Sequence, residues 1–290
     1  GTFTYYGTVG AVEFSTQDPS HLIHVAVREM NGNYAKTFPG LNQVSAETAI
    51  VGRNMIIPNL ASNATYRTTC GFYNPTADAV TMDLKLRTPS GAQAGSTFSR
   101  TLAGHGFMSF NPFAEAGVPY PGSTYEHSVL EVIPTSGAGG VMCFGATANN
   151  YSNDPAAHLA VQVSSFDNGS ANYKILPEVI WALATGGGTW VSDVQLIDVS
   201  GGSQVQVYYN CASGRRGPFL LWNNGGGGAM STIKFANLLE TIDGLDADAF
   251  TYYGTVGAVE FATQDTGHLV HVAVREMNGN YAKTFPGLNQ

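Results

Sequence analysis

Charge is scarce in this sequence. Charged residues account for 12% of its 290 residues, about half of the ~25% found in ordinary globular domains. The charge that is present is mainly acidic, with a formal net charge of −8, so neither nucleic acid nor an anionic membrane would attract the chain. Apolar runs are short as well, and none approaches the ~18 residues of a membrane-spanning helix. We therefore expect no nucleic-acid partner and no membrane span.

Catalytic motifs are also missing. The sequence has no G-x-S-x-G nucleophile turn, no H-E-x-x-H zinc motif and no G-x-x-x-x-G-K-[ST] phosphate loop. Its Gly-rich stretches, GGGTW at 186–190 and NNGGGG at 223–228, lack a following basic residue and suit hairpin loops. His21 and His24 lie three apart on a strand and so point to opposite faces, and the other histidines are expected at outward positions and in loops. The sequence predicts a protein that is not an enzyme and holds no cofactor.

A long duplication is the most informative feature that is present. Residues 3–43 recur as residues 250–290, 247 positions later along the chain. The 41-residue copies differ at four positions: Ser15/Ala262, Pro19/Thr266, Ser20/Gly267 and Ile23/Val270. Each change is mild for an exposed turn or a strand. A repeat this close is typical of a tandem array.

A second, weaker repeat lies inside that period. RNMIIPNL at 53–60 matches YKILPEVI at 173–180, and GGVMCFGATANN at 139–150 matches GHLVHVAVREMN at 267–278. The intervening stretches match in the same order. We therefore divide the chain into segment A, residues 44–162, and segment B, residues 163–290. Residues 1–43 are then the C-terminal strands of an incomplete B-type unit.

Both segments have the pattern of β-structure. In AVTMDLKL at 79–86 the apolar residues alternate with polar ones, which is typical of a half-buried strand. Gly-, Pro- and Asn-rich turns separate such runs, and about seven or eight short strands in ~120 residues indicate a β-sandwich. At matching places, NPFAEAG (111–117) and FANLLETIDG (235–244) interrupt the pattern and predict a short helical crossover in each segment. The fold class expected is all-β, as tandem β-sandwiches.

In this arrangement the chain resembles the tandem immunoglobulin-like β-sandwich repeats of large secreted and surface proteins of bacteria. The shared features are an "IP" start, an aromatic-polar strand, an N-P turn, a Gly-rich hairpin, a short helix and an Asn-rich turn. The resemblance covers nearly all of both segments. It implies the architecture and an extracellular or cell-surface setting, and it carries over no catalytic residues.

Three cysteines and one acidic loop are the candidates for special chemistry. Aligned on segment B, Cys70 faces inward and Cys143 outward, so a disulfide between the sheets is disfavoured because its Cβ atoms must lie ~4 Å apart. Cys211 has no counterpart. In DGLDAD at 243–248, Asp243, Asp246 and Asp248 crowd one loop, and Ca²⁺ prefers such carboxylate oxygens. The loop lacks the spacing of a full Ca²⁺ motif, and a solvated acidic loop is the competing interpretation.

The incomplete unit at the start of the chain suggests the function. Two or three strands without a partner sheet are marginally stable in water, so strands of another B-type segment are expected to cover residues 1–43. Such strand complementation joins units head to tail and propagates into a filament. The sequence therefore predicts a structural protein of an extracellular filament, stalk or surface layer, whose partner is itself. The residues expected at this contact are Ile23, Val25, Val27, Tyr34 and Phe38 with their twins Val270, Val272, Val274, Tyr281 and Phe285.

The alternative is a carbohydrate-binding or adhesive surface module. Trp181, Trp190 and Trp222 could stack on sugars of a surface glycan, assisted by Ca²⁺ in the 243–248 loop. Core or interface positions are the competing interpretation for these aromatic residues. The two functions are distinguished by whether the tryptophans face the core or gather on one exposed face.

Overall fold

The structure, a computed structural model, shows a chain built almost entirely of antiparallel strands. It describes residues 11–13, 26–31, 34–39, 48–119, 124–151, 155–163, 173–183, 187–263, 270–278, 281–286 and 288–289. Within these ranges two helices are present, and both are short. The all-β prediction is confirmed at this level. No helix among these residues is long and apolar enough to cross a membrane.

Within its described residues, segment A has nine strands and one helix. They are β3 (Met55–Ser62), β4 (Tyr66–Tyr73), β5 (Val80–Arg87), β6 (Phe98–Leu102), β7 (Phe107–Phe110), α1 (Pro112–Glu115), β8 (Tyr125–Ser136), β9 (Met142–Asn149), β10 (Pro155–Leu159) and β11 (Val161–Gln162). One sheet has the order β10-β9-β4-β7 and the other β11-β3-β8-β5-β6. The alternating strand β5 buries Val80, Met82, Leu84 and Leu86. These side chains meet Phe72 and Cys70 of β4 in one core shared by both sheets.

Segment B contains the same number of strands. They are β12 (Tyr173–Leu183), β13 (Thr189–Asp198), β14 (Gln204–Cys211), β15 (Gly214–Asn223), β16 (Ser231–Phe235), α2 (Leu238–Leu245), β17 (Thr255–Thr263), β18 (Val270–Asn278), β19 (Tyr281–Pro286) and β20 (Leu288–Asn289). Their order is β15-β14-β17-β12-β13-β18-β19, with β16 also paired to β13 and β20 to β12. A second core forms between them around Val207, Tyr209, Leu196 and Val259.

Most strand pairings of the two segments correspond, except that β12 also pairs with β13, whereas β3 and β4 lie in separate sheets. Strands β3, β8 and β5 pair in the same order as β12, β17 and β14, while β4, β7 and β9 correspond to β13, β16 and β18. Even the irregularities match, because the β3–β8 register shifts between Ile57 and Leu60 and β12–β17 shifts between Leu176 and Val179. The weak sequence repeat is therefore accompanied by a repeat in strand order.

Both predicted interruptions contain a helix, and each helix begins with an asparagine. The side chain of Asn111 accepts hydrogen bonds from the N–H groups of Phe113 and Ala114. Asn237 accepts one from the N–H of Glu240. An asparagine cap satisfies backbone donors that have no partner within the helix, which fixes where each crossover starts.

A buried carboxylate organises the turn after β13. Asp198 is fully buried and accepts four short hydrogen bonds. The donors are the N–H groups of Gly201 and Ser203, each at 2.8 Å, the Ser203 hydroxyl at 2.7 Å and the Asn224 amide at 2.7 Å. The backbone carbonyl of Asp198 also accepts from the Met230 N–H. One side chain thus holds together the β13–β14 turn and the loop that leads into β16.

The described strands of the two copies of the duplicated sequence include one hairpin with the same register in both. In the C-terminal copy, β17 pairs with β12 and β14, and β18 pairs with β13 and β19. In the N-terminal copy the described strands are β1 (Ala26–Asn31) and β2 (Tyr34–Pro39). They pair with each other as a two-stranded sheet.

Candidate functional site

The two segments meet at a buried junction with its own apolar cluster. Ile56 of β3 and Val129 of β8, on the outer face of the segment A sheet, are fully buried. They pack against Ile197 of β13 together with Val199 and Met230 of segment B. Because β13 has the core on one face and segment A on the other, seven consecutive residues of this strand are buried. The junction is therefore a packed interface.

Gln195 is the central polar group of the junction. Its side chain is 1% exposed. Its Oε1 accepts the N–H of Asn59 at 2.9 Å, and its Nε2 donates to the carbonyl of His127 at 2.7 Å. Thr232 adds a second donor to the same carbonyl at 3.3 Å. One buried amide side chain thus satisfies a partly buried donor and a partly buried acceptor of the facing segment.

Unusual backbone conformations coincide with this network. Asn59, His127 and Met230 have φ values of 59°, 52° and 64°, in the left-handed region that non-glycine residues seldom adopt. Asn59 lies in the register shift of β3, and its side chain contacts the His127 ring at 3.2 Å. The irregularity turns two backbone groups out of the sheet and toward Gln195. Such local strain persists only where surrounding contacts determine it.

Backbone contacts extend the junction along one side. Thr232 donates its N–H to the carbonyl of Pro89 at 2.6 Å, and Ser90 and Ser231 form an isolated β-bridge. Next to them lies a cavity of about 220 Å³, lined in part by Arg87, Glu131 and Met230. Arg87 and Glu131 form an ion pair at 2.8 Å within it. The junction therefore joins the segments through backbone, side-chain and apolar contacts at once.

The C-terminal members of the predicted assembly residues belong to segment B itself. In β18, Val270, Val272 and Val274 stand opposite Asp198, Leu196 and Val194 of β13. The other edge of β18 is occupied by β19, where Phe285 stands opposite Val274 and Tyr281 opposite Asn278. Val272 is fully buried in the segment B core. Both edges of their strand are thus paired within the chain, and the expectation that these valines contact a second copy stays a prediction.

For the N-terminal members, the structure describes only β1 and β2. Val27 stands opposite Phe38, and Tyr34 opposite Asn31. Ile23 and Val25 lie outside the described residues. The prediction that this copy completes a sheet elsewhere stays a prediction. The C-terminal copy shows the place in a sheet that the same sequence takes when its partner strands are available.

A contact between Glu13 and Tyr73 links the N-terminal copy to segment A. The Tyr73 hydroxyl donates to Glu13 Oε1 at 2.7 Å. Burial, followed by the hydrogen bond and the negative charge of Glu13, raises the pKa of Tyr73 to about 12. Tyr73 is on the outward face of β4, whose inward residues Cys70 and Phe72 lie in the core. Thus the outer face of β4 is in contact with the copy that precedes it.

Two of the three carboxylates of the acidic loop pair with an arginine. Arg216 donates to Asp246 at 2.7 Å and to Asp248 at 2.9 Å, while Tyr252 donates its hydroxyl to Asp246 at 2.7 Å. Asp243 contacts the N–H of Tyr252 at 3.5 Å. Among the residues that the structure describes, no group of three or more His, Cys, Asp or Glu side chains is arranged to hold a metal ion. The geometry lends no support to the predicted Ca²⁺ site.

The Asp246–Arg216 pair makes stability depend on pH in the acid range. The hydrogen bond from Arg216 is the main cause that lowers the pKa of Asp246 from 3.8 to about 2. Since the folded pKa lies below the unfolded value, the stabilisation is complete above about pH 4 and is lost as the pH falls toward 2. We expect Asp246→Asn to be destabilising at pH 6 and nearly neutral at pH 2. Urea midpoints of the variant and the parent at both pH values test this, and an equal difference at both would contradict it.

All three cysteines are free, and the predicted orientation of one of them is wrong. Cys143 is buried in the segment A core together with Cys70, whereas Met142 and Phe144 flank it on the outward face. The sequence alignment was displaced by one position here: Cys143 stands opposite Phe72, as Val272 stands opposite Leu196. Burial raises the pKa of both core thiols, which keeps them protonated and unreactive.

The three tryptophans are all partly buried. Trp181 and Trp222 pack against the segment B core, and Trp181 meets Tyr253 edge-to-face with centroids 5.3 Å apart. Trp190 is half-buried in β13. The arrangement fits the interpretation of these side chains as core and packing residues.

Comparison with protein-family models and with curated proteins finds no match for this chain. The functional inference therefore rests on the duplication in the sequence and on the structural features of the junction. Sequence reasoning missed Gln195 and His127, which are separated by 68 positions. It also missed the contact of Glu13 with Tyr73. Nothing local in the sequence marks these residues, although the match between the segments could have suggested that they use equivalent faces.

Proposed function

We propose that this chain is a structural repeat protein whose β-sandwich units, immunoglobulin-like in type, stack head to tail in an extracellular filament, stalk or surface layer. Its units are segment A (44–162), segment B (163–290) and the B-type strands of residues 1–43. The chain's partner is another repeat of its own kind, and no catalytic step is assigned to it.

The duplication carries this proposal. Residues 250–290 supply β17 to β20, which form part of both layers of segment B. Residues 3–43 repeat that sequence with four differences among 41 positions. A sequence that completes one B-type sheet is competent to complete another, either in a preceding repeat or in a second copy. Because the completed unit then leads into segment A, the contact is open-ended and propagates.

The junction between segments supports a structural role. A flexible linker would leave the segments free to rotate, whereas Gln195 and the apolar cluster fix their orientation through buried contacts. A fixed angle at each junction is what an extended stack requires. An extracellular setting is compatible with the core thiols, since Cys70 and Cys143 are buried and protected from oxidation.

The test places the same substitution in each copy of the duplicated sequence. Val272→Asp puts a carboxylate into the segment B core and excludes the C-terminal copy from its own sheet, at a cost of roughly 3–5 kcal/mol. If the N-terminal copy can complete segment B, a neighbouring molecule will supply it. We therefore expect the Val272→Asp chain to form end-to-end oligomers, seen by sedimentation velocity and electron microscopy.

Val25→Asp is the matched control, because Val25 is the twin of Val272 in the other copy. We expect this variant to keep the stability of the parent chain, because its C-terminal copy is unchanged, and to form no strand-exchanged oligomers. The double variant has no usable copy and should leave segment B unfolded. If Val272→Asp merely unfolds segment B as the double variant does, the N-terminal copy cannot complete the sheet and the proposal fails.

A further inference from the structure

We propose that two copies of this chain dock through one face of each. In the first copy this is the outer face of β12, β14 and β17, centred on Glu260. In the second copy it is the outer face of β4, β7 and β9, centred on Tyr73. This inference rests on the proposed function and specifies the second contact of the stack. The occupant is segment A of the next molecule. The contact joins a B-type unit to the A-type unit that follows it.

The corresponding strand orders of the segments identify these two faces. Within the chain, the junction joins the outer β3–β8 face of segment A to the outer β13–β16 face of segment B. The counterpart of the first face in segment B is that of β12 and β17. The counterpart of the second in segment A is that of β4 and β7. The junction uses the β3–β8 face of segment A and the β13–β16 face of segment B. It does not use the β4–β7 face of segment A or the β12–β17 face of segment B.

Strand register places Glu260 and Tyr73 at equivalent positions on the remaining faces. Glu131 stands opposite Ile56, and Glu260 opposite Ile175, in corresponding strand pairs. Similarly, Tyr73 stands opposite Phe107 as Ile197 stands opposite Thr232. Glu131 lines the junction cavity and Ile197 belongs to the junction cluster. Their counterparts are therefore the residues expected to meet at the next junction.

The N-terminal copy shows one half of this contact. Glu13 is the twin of Glu260 in the duplicated sequence, and it accepts the hydrogen bond of Tyr73 at 2.7 Å. The residue that marks the B-type face thus already lies against the A-type face. Glu260 offers the same carboxylate at the other end of the chain.

The chemistry of both faces fits association. Val256, on the outward side of β17, is 50% exposed, and Ala258 and Tyr208 lie beside it on the same face. On the A-type face the Phe144 ring lies directly over Gly71, because a Cβ at Gly71 would collide with that ring. Apolar side chains are therefore present on both faces, with a carboxylate and a phenol as the polar pair.

Glu260 can accept the additional bond. Its Oε1 accepts from Asn210 at 2.9 Å and its Oε2 from Arg215 at 2.6 Å. Each carboxylate oxygen has two lone pairs, so these partners orient the group and leave acceptor capacity for the Tyr73 hydroxyl. Arg215 also lies 3.9 Å from the centroid of the Tyr208 ring, which helps to hold that face in place.

Sedimentation of full-length variants tests the contact. In the parent chain Glu13 competes with the Glu260 of a neighbour for Tyr73, so Glu13→Ala should raise the association constant about threefold or more. Adding Glu260→Ala or Tyr73→Phe should remove that gain. Because the two residues act through one bond, combining the latter two substitutions should weaken association no further than either alone. Glu240→Ala, an exposed glutamate on α2, is the control and should change nothing.

The outcomes separate this contact from strand exchange. If the Val272→Asp oligomers form but Glu260→Ala and Tyr73→Phe leave association unchanged, the proposed function stands and the docking faces are wrong. If the Glu260 and Tyr73 substitutions weaken association additively, the two residues do not meet and the inference is overturned. If no variant associates, both the stack and this contact fail.

Discussion

Replacing Asp198 with alanine is expected to lower the free energy of unfolding by about 3–5 kcal/mol, the largest effect of any single polar substitution proposed here. The reason is the number of donors that lose their acceptor. The N–H groups of Gly201 and Ser203, the Ser203 hydroxyl and the Asn224 amide all point at this carboxylate. A buried donor without a partner costs about 1–3 kcal/mol. Relaxation of the turn offsets part of that sum.

Urea unfolding of the parent and variant chains measures the effect. Asp198→Asn separates shape from acceptor number, because its amide nitrogen would face a donor where an oxygen now accepts. We expect it to recover less than half of the loss. Asp248→Ala is the matched control, since that carboxylate is 80% exposed and exposed ion pairs contribute about 0–1 kcal/mol. A loss at Asp198 no greater than that of the control would show that the turn is held by its backbone alone.

The turn at Asp198 illustrates what the sequence could predict. VSGG at 199–202 is a clear turn signal, and it falls between β13 and β14 as expected. The carboxylate that organises the turn was not predicted, because an Asp beside glycines is usually solvated. Its burial depends on Asn224 and on the packing of segment A nearby, both distant in the chain. Local composition identifies a turn and leaves its tertiary partners undetermined.

Cys143 shows how easily a residue is assigned to the wrong face of a strand. Side chains in a strand alternate between two faces, so an error of one position reverses every assignment in that strand. The match of segment A to segment B was displaced by one residue in β9, and that displacement put Cys143 on the wrong face. In β5, where the apolar residues alternate clearly, the same reasoning placed Met82 and Leu84 correctly. Periodicity within one strand was a better guide than alignment of weakly similar strands.

The candidate site was predictable only in part. The duplication is visible in the sequence, and it led to the strands that complete segment B. The junction is not visible, because Gln195 has the polarity of a surface residue and its partners lie elsewhere in the chain. Two-sided burial of β13 removes the alternation that would have revealed a buried face. The burial of β13 and the partners of Gln195 both depend on packing between residues that are distant in the chain.

Replacing Gln195 with alanine will test whether the junction fixes the segments. The substitution removes the acceptor of the Asn59 N–H and a donor to the His127 carbonyl. With two partly buried backbone groups affected, we expect a loss of about 1–3 kcal/mol. Thr232 still donates to the carbonyl, so the Asn59 N–H should be affected most. Its hydrogen exchange should accelerate at least tenfold, because its hydrogen bond to Gln195 now protects it.

Gln206→Ala is the matched control, since Gln206 lies in the middle of β14 and faces away from the core. Its effect on stability should stay within about 0.5 kcal/mol, and the exchange of the Asn59 amide should not change. Slow exchange of that amide in Gln195→Ala would mean that the apolar cluster alone protects the junction. Fast exchange, with core amides of both segments still protected, would show that the segments can separate without unfolding. The fixed angle between segments, and with it an extended stack, would then depend on this one side chain.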